Sequence, residues 1–258
     1  MPTLAELTWP EAELALQQAK VAILPVGSIE QHGPHLPLDT DAAVAEAFAT
    51  KLADALGDQA VLAPPVRYGL SEHHLAFAGT VTVGVNAYLA MLGDVVAGLG
   101  RLGLRRILIV NGHAGNIDAL RLVGRQARQQ GLLVAHLMWL QLARDEIRTW
   151  ARSERFGHAC EIETSIAMAL LPGRVRMDAL PEPAELPSFE PLSDPPAPMV
   201  DEPIRTHEWT RSGALGDPRL ASVEAGRAIV DVVHRRSVEF AQRFAERAVA
   251  DDPLERIG

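Results

Sequence analysis

The sequence predicts an α/β fold, a three-layer α/β/α sandwich around a mostly parallel sheet. Three observations carry this expectation. Short apolar runs such as Val21-Ala22-Ile23-Leu24-Pro25-Val26 and Ile107-Leu108-Ile109-Val110 suit strands buried on both faces. Longer segments of helical periodicity alternate with them. Polar loops bearing Gly or Pro follow the carboxyl ends of those runs, where open parallel sheets bind ligands.

In chain order, Thr8 opens a short helix to Gln18, with Pro10 in its first turn. The strand from Val21 to Val26 follows. A helix then spans Asp41 to Leu56, its apolar face built from Val44, Ala45, Phe48, Leu52 and Leu56. Ala60 to Ala63 reads as a second strand and Phe77 to Val83 as a β segment. Asn86 to Leu102 is helical and ends at Gly103. After the central run at Ile107 comes a helix from Asp118 to Gln130, then a strand from Leu132 to Leu137. Helical segments are expected from Leu142 to Arg155, through Ile166 to Leu171 after the stretch Phe156 to Ser165 that opens it, and from Ser222 to Val249. Many of the prolines lie between Leu180 and Pro203, with several acids and no periodicity. That stretch reads as a surface excursion or lid of a single domain covering residues 1–258, not as a second domain.

Composition narrows the function classes. Hydrophobic residues at 48% and charged residues at 22% are ordinary for a globular protein with a sizeable core. A net charge of -9 argues against nucleic acid as a partner, because phosphate binding needs a basic face. Cys160 is the single cysteine, so no intrachain disulfide forms, as suits a reducing compartment. The first 19 residues carry acids and lack a basic start before an apolar block, and no apolar run approaches a membrane span. A cytoplasmic protein without membrane partners is expected. No glycine-rich nucleotide fingerprint occurs at a strand end.

Chemistry-bearing residues gather in three places. Gly27 to Asp41 packs Glu30, His32, His35, Asp39 and Asp41 into one irregular loop after a strand. Glu30 and His32 are two apart and share a face if the chain is extended. Carboxylates and imidazoles of this kind suit a borderline divalent cation such as zinc, manganese or iron. A polar surface loop explains the same composition, and Asp41 reads equally well as a helix cap. The second place is Asn111-Gly112-His113-Ala114-Gly115-Asn116, at the carboxyl end of the central strand. The third is His158-Ala159-Cys160-Glu161-Ile162-Glu163-Thr164-Ser165, at a helix start, where acids also have a plain dipole reading.

The string E-Q-H-G-P-H-L-P-L-D-T-D resembles the first signature of the creatininase (creatinine amidohydrolase) family. N-G-H-A-G-N and H-A-C-E-I-E-T-S are similar to two further signatures, and Tyr68-Gly69-Leu70-Ser71-Glu72-His73-His74 with the following F-x-G-T to another. The likeness runs from about Leu24 to Ser165, with a weaker match at G-A-L-G-D-P from Gly213. It implies a creatininase-like fold, a homo-oligomer such as a hexamer, and hydrolysis of an amide C–N bond by a metal-activated water. It also implies two divalent ions (Zn, Mn or Fe). Glu30 and His113 would hold one, His32 the other, and Asp41 would bridge them.

The family motif carries a further Glu where this chain has Gly115, so Glu163 becomes the candidate replacement ligand. Cys160 replaces a Gly and reads as a small packed residue. His158 would shuttle the proton to the leaving nitrogen, with Glu161 orienting it. His74 would line the pocket mouth or hold its loop, and Asn111 and Asn116 would pin theirs. The expected substrate is a small molecule with a non-peptide or cyclic amide. Alternatives are a peptidase or formamide hydrolase in the maturation of a modified peptide or cofactor, and a non-catalytic metal-binding member.

Overall fold

The computed structural model describes residues 3–154, 156–183, 203 and 205–249. Four strands form one parallel sheet. They are β1 (Val21–Val26), β2 (Ala60–Leu62), β3 (Arg106–Asn111) and β4 (Leu133–Met138), in the order β2-β1-β3-β4. The helices in chain order are α1 (Trp9–Gln18), α2 (Thr40–Leu56), α3 (Val85–Arg101), α4 (Ile117–Gln129), α5 (Trp139–Leu142), α6 (Arg144–Trp150), α7 (Glu161–Leu170), α8 (Thr206–Trp209) and α9 (Val223–Ala245).

Helices cover both faces of the sheet, as the continuous apolar strands require. Side chains alternate along β1 and β3. Ile23, Leu108 and Val110 pack with Phe48, Leu52, Ile162, Ile166, Ile229 and Val233 of α2, α7 and α9. Ala22, Leu24, Ile107 and Ile109 point the other way, onto Tyr88, Leu92, Val96, Leu120 and Val123 of α3 and α4. Burying one such Leu or Ile side chain contributes about 1.5–3 kcal/mol. The two cores fix the depth of the sheet, and so the rim on which its carboxyl ends lie.

Four expectations are corrected at element boundaries. Phe77 to Val83 is not a strand: Val81 and Thr82 make only isolated bridges, to Ile29 and Gly69. The segment from Leu142 to Arg155 is helical only to Trp150, and it is split at Ala143. The closing helix ends at Ala245 and not at Val249. Asp41 is not the cap of α2. That position is Asp39, and Asp41 sits in the first turn with its side chain buried. Most of the proline-rich stretch, residues 184–202, lies outside the described residues.

Two glycines bring the strand ends against α2. A Cβ at Gly27 would run into the backbone of Asp41 and Ala42, and one at Gly112 into the Asp41 carbonyl. Only glycine permits this approach. It seats the first turn of α2 directly on the ends of β1 and β3.

Candidate active site

The loops after β1 and β3, the first turn of α2 and the start of α7 meet at one rim. Glu30, His32 and Asp41 place one ligand atom each within 4.8 Å of one another, as do Glu30, His73 and His113, Glu30, His74 and His158, and His32, His158 and Glu163. Asp41 lies between two imidazoles: its Oδ1 is 3.1 Å from His32 Nε2 and its Oδ2 is 3.0 Å from His113 Nδ1. Glu30 Oε2 is 3.2 Å from the same His113 nitrogen and accepts from Ser71 Oγ at 2.5 Å. The Ser28 and Ser71 hydroxyls are in contact behind it.

The far nitrogen of each of three imidazoles is tied to a backbone carbonyl. His32 Nδ1 donates to Glu30 O at 3.1 Å, His113 Nε2 to Leu70 O at 2.8 Å, and His158 Nε2 to Gln31 O at 2.6 Å. Such anchoring sets the ring angle and leaves the near nitrogen for a cation. The donor set fits divalent ions on another count. Among the described residues Glu30 Oε1 and Asp41 Oδ2 are buried without a hydrogen-bond partner, although imidazole nitrogens stand 3.3 and 3.0 Å away. A buried carboxylate oxygen left so is costly unless a cation or proton compensates it.

In the metal-free protein, protons on histidine serve that purpose. Burial opposes charge on His32, but Asp41, then Glu163 and Glu30, outweigh it and raise its pKa to about 10. Burial likewise opposes charge on His113, and Glu30 and Asp41 hold it well above its usual value. Burial works against ionisation of Glu30, yet His113 keeps it well below the carboxylate range. Burial pushes Glu163 up to about 7. Burial and then the His32 charge bring His158 down to about 3, so it is neutral.

Most candidate residues converge, and some do not. Glu30, His32, Asp41, His113, His158 and Glu163 form one cluster. Glu163 reaches it from α7, held by the Ala159 N–H at 2.5 Å from Oε2. Ala159 takes a left-handed φ of 51°, which aims that N–H at the carboxylate.

Glu161 is not brought to the cluster. Its carboxylate accepts from Arg152 N, Ser153 N and Ser153 Oγ at 3.1, 2.9 and 3.0 Å, so it closes the loop before α7 instead of orienting His158. Neighbouring positions on a helix face different ways, which separates it from Glu163. His35 bonds Thr164, and Asp39 pairs with Arg174, both off the cluster. Cys160 is packed in the core, donates to Gly157 O at 3.2 Å, and is pushed up to about 12 by burial, so it is a thiol at neutral pH.

At Gly115 a Cβ would meet His113 Nε2 and the Leu70 carbonyl, so this backbone has no room for a carboxylate side chain. Asn116 ties the loops together. Its Oδ1 accepts from Leu70 N at 3.0 Å, and its Nδ2 donates to Gly27 O at 3.0 Å.

Sequence reasoning undervalued His73 and His74, because adjacent side chains diverge in an extended loop. The tight turn Glu72–His74 instead brings both to the cluster. His73 stacks on His113 with ring centroids 5.6 Å apart, and His74 Nε2 is 3.3 Å from Glu30 Oε1. Gln31 and Thr206 were missed altogether. Gln31 sits inside the recognised string, but Thr206 lies 132 residues from its partner His74, beyond any local signal.

A cavity of about 420 Å³ opens over the cluster. Its floor is Glu30, His74, His113, His158 and Glu163. Its wall is apolar: Met138, Leu140, Phe156, Trp209 and Leu215. No Lys or Arg lines it among the described residues. None of the described helices is long and apolar enough to cross a membrane.

A parallel sheet with helices on both faces and a buried histidine–carboxylate cluster at its carboxyl rim defines an α/β protein of the metal-dependent hydrolase type. The chain belongs to the creatininase family: the family profile for creatinine amidohydrolase matches residues 5–241. It is similar to the mycofactocin precursor peptide peptidase of Mycobacterium ulcerans, 33% identical over 86% of this chain and 80% of that one. It is also similar to the creatinine amidohydrolase of Pseudomonas putida, 28% identical over 88% and 91% of the two chains. Among solved structures, a creatininase in its Mn form matches with TM-score 0.77 at 25% identity, over 95% of this chain and 99% of that one. A variant creatininase of Zn–Zn type gives TM-score 0.78 at 25% identity, over 96% and 100%.

Proposed function

We propose that the chain is a metal-dependent amidohydrolase that opens a non-peptide or cyclic amide C–N bond of a small molecule. One observation carries this reading. Glu30, His32, Asp41 and His113 come from three separate parts of the chain to one buried point, where two carboxylate oxygens lack a hydrogen-bond partner among the described residues. Glu30 and His113 would hold one divalent ion and His32 with Glu163 a second, with Asp41 between the two rings as the bridge. Bound there, zinc, manganese or iron supplies Lewis acidity that makes water nucleophilic near neutral pH and polarises a carbonyl.

The protein's own residues do the rest. His158 donates through Nε2 to Gln31 O, so its Nδ1 carries the lone pair and faces Glu30 Oε1 at 3.7 Å and Glu163 Oε2 at 4.0 Å. From there it takes a proton from the attacking water and returns it to the leaving nitrogen as the C–N bond breaks. The apolar wall excludes water and holds an apolar group beside the scissile bond. Among the described residues no Lys or Arg lines the cavity, so a phosphate or carboxylate there would rely on the bound ions for its countercharge.

A peptidase acting on a short or modified peptide is the second reading. The cavity of about 420 Å³ with an apolar wall favours it, as does the 33% identity to a precursor-peptide peptidase. We further propose a cytoplasmic homo-oligomer. The deciding experiment loads metal-stripped protein with Zn or Mn, measures metal per chain, and screens creatinine, formamides, apolar amides and short peptides. A protein that binds no stoichiometric metal supports the non-catalytic reading instead.

A further inference from the structure

We propose that His74 is a further catalytic residue. It would be a neutral imidazole whose proton is fixed on Nε2, donating to the scissile carbonyl oxygen as negative charge develops there. The inference rests on the amidohydrolase reading above, and its starting point is Gln31. The Gln31 Oε1 accepts from Gly33 N at 2.9 Å, which settles which end of the amide is oxygen. Its Nε2 donates to Gly213 O at 3.1 Å and lies 2.9 Å from His74 Nδ1. An amide nitrogen only donates, so His74 Nδ1 must accept. Thr206 Oγ1 lies 3.0 Å from the same nitrogen and can donate to it as well. Both contacts thus assign Nδ1 as the acceptor. The single proton resides on Nε2.

His74 lines the cavity, and its Nε2 lies 3.3 Å from Glu30 Oε1, which takes no hydrogen bond among the described residues. The donor is thus left for a substrate atom. It also follows that His74 is not a metal ligand, although it clusters with Glu30 and His158, because its lone pair points away at Gln31.

His74 and His158 face each other with ring centroids 4.3 Å apart and opposite polarity, one offering a proton and the other a lone pair. In the addition step the water oxygen bonds to the carbonyl carbon and the π pair moves to the carbonyl oxygen. His158 takes the water proton. His74 keeps its own proton and stabilises the oxyanion through the hydrogen bond. The C–N bond then breaks as His158 protonates the nitrogen, giving acid and amine. A fixed donor in a water-poor cavity contributes most in such a step. The loop at Gly213, whose φ of 87° brings its carbonyl to Gln31, belongs to this device.

The test compares Zn-loaded wild type with His74→Leu, which removes the donor, and His74→Gln, which keeps a terminal N–H. It adds Gln31→Glu, whose carboxylate calls the proton to Nδ1. Metal per chain, kcat and KM are measured on an amide the wild type cleaves, and the histidine tautomer is read by nitrogen-15 NMR. The expected result is kcat lowered about 100- to 1,000-fold in His74→Leu and Gln31→Glu, with KM and metal content nearly unchanged. His74→Gln should stay within about tenfold of wild type. NMR should show Nε2–H in wild type and Nδ1–H in Gln31→Glu. An active wild type with an equally active His74→Leu, loss of metal in His74→Leu, or an Nδ1–H or imidazolium signal in wild type each overturns the role of His74. A wild type that loads zinc but cleaves no amide overturns the hydrolase reading itself.

Discussion

Loading the metal-free protein should expel protons, and their number follows from the site. At about pH 7.5, His32, raised to about 10, is fully protonated, and so is His113, held well above its usual value. Glu163, raised to about 7, retains roughly a quarter of a proton. His158 and His74, lowered to about 3 and about 4, carry no extra proton, and Glu30 and Asp41 are ionised. Metal ligands bind deprotonated, so filling both positions should release about two protons per chain. Zinc titrated into stripped protein by calorimetry, in two buffers of different ionisation enthalpy, measures that number. Apparent affinity for the pair should then fall about a hundredfold for each pH unit of acidification. The same shifts set the stability of the metal-free fold. A histidine raised in the folded state stabilises it fully below its unfolded value near 6.5, and that contribution is lost as pH climbs through about 10. The melting temperature of stripped protein should decline between those limits, and that of loaded protein should not. Zinc binding without proton release would refute the view that His32 and His113 act as the resident cations of the empty site.

Further outcomes are expected. Asp41→Ala should abolish activity and most metal binding, because one carboxylate faces both His32 and His113; full metal content by elemental analysis would contradict the bridge. His158→Ala should keep its metal and slow turnover about a hundredfold or more, and unchanged turnover would remove it from the proton path. Asn116→Ala should cost about 1–3 kcal/mol in urea unfolding, since it leaves the buried Leu70 N–H and Gly27 carbonyl without that partner. At Gly226→Ala a methyl would meet the Ser165 carbonyl, where α9 crosses α7. Destabilisation of about 1–3 kcal/mol is expected there, with a loss of activity as α7 shifts Glu163.

Much of this was legible in the chain because its signals were local and of the right period. The continuous runs of β1 and β3 are buried on both faces, and the apolar stripe of α2 falls where spacing predicts. The Phe77 to Val83 segment misled for a physical reason. Val81 is half exposed and pairs only with Ile29, so β propensity there is not backed by a ladder. At the site, Glu30, His32 and His113 could be picked out as candidates because they follow strand ends, and Asp41 because it closes the same polar stretch at the start of α2. Glu161 could not be separated from Glu163 without the helix phase, which turns one carboxylate to the Arg152–Ser153 backbone and the other to Ala159. Thr206 and Gly213 act on His74 and Gln31 from far along the chain, a link that only the folded structure reveals.

The tight seating of α2 on Gly27 and Gly112 has a bearing on ion choice. A Cβ at either glycine would meet the backbone of Asp41, so the helix and the strand ends touch directly beside that carboxylate. Calcium asks for six to eight oxygens at about 2.3–2.6 Å, and a cluster in which imidazoles stand among the carboxylates suits zinc, manganese or iron better. Which of these ions would be bound should then depend on supply and on imidazole preference, and elemental analysis of the protein taken from its own cells would read it.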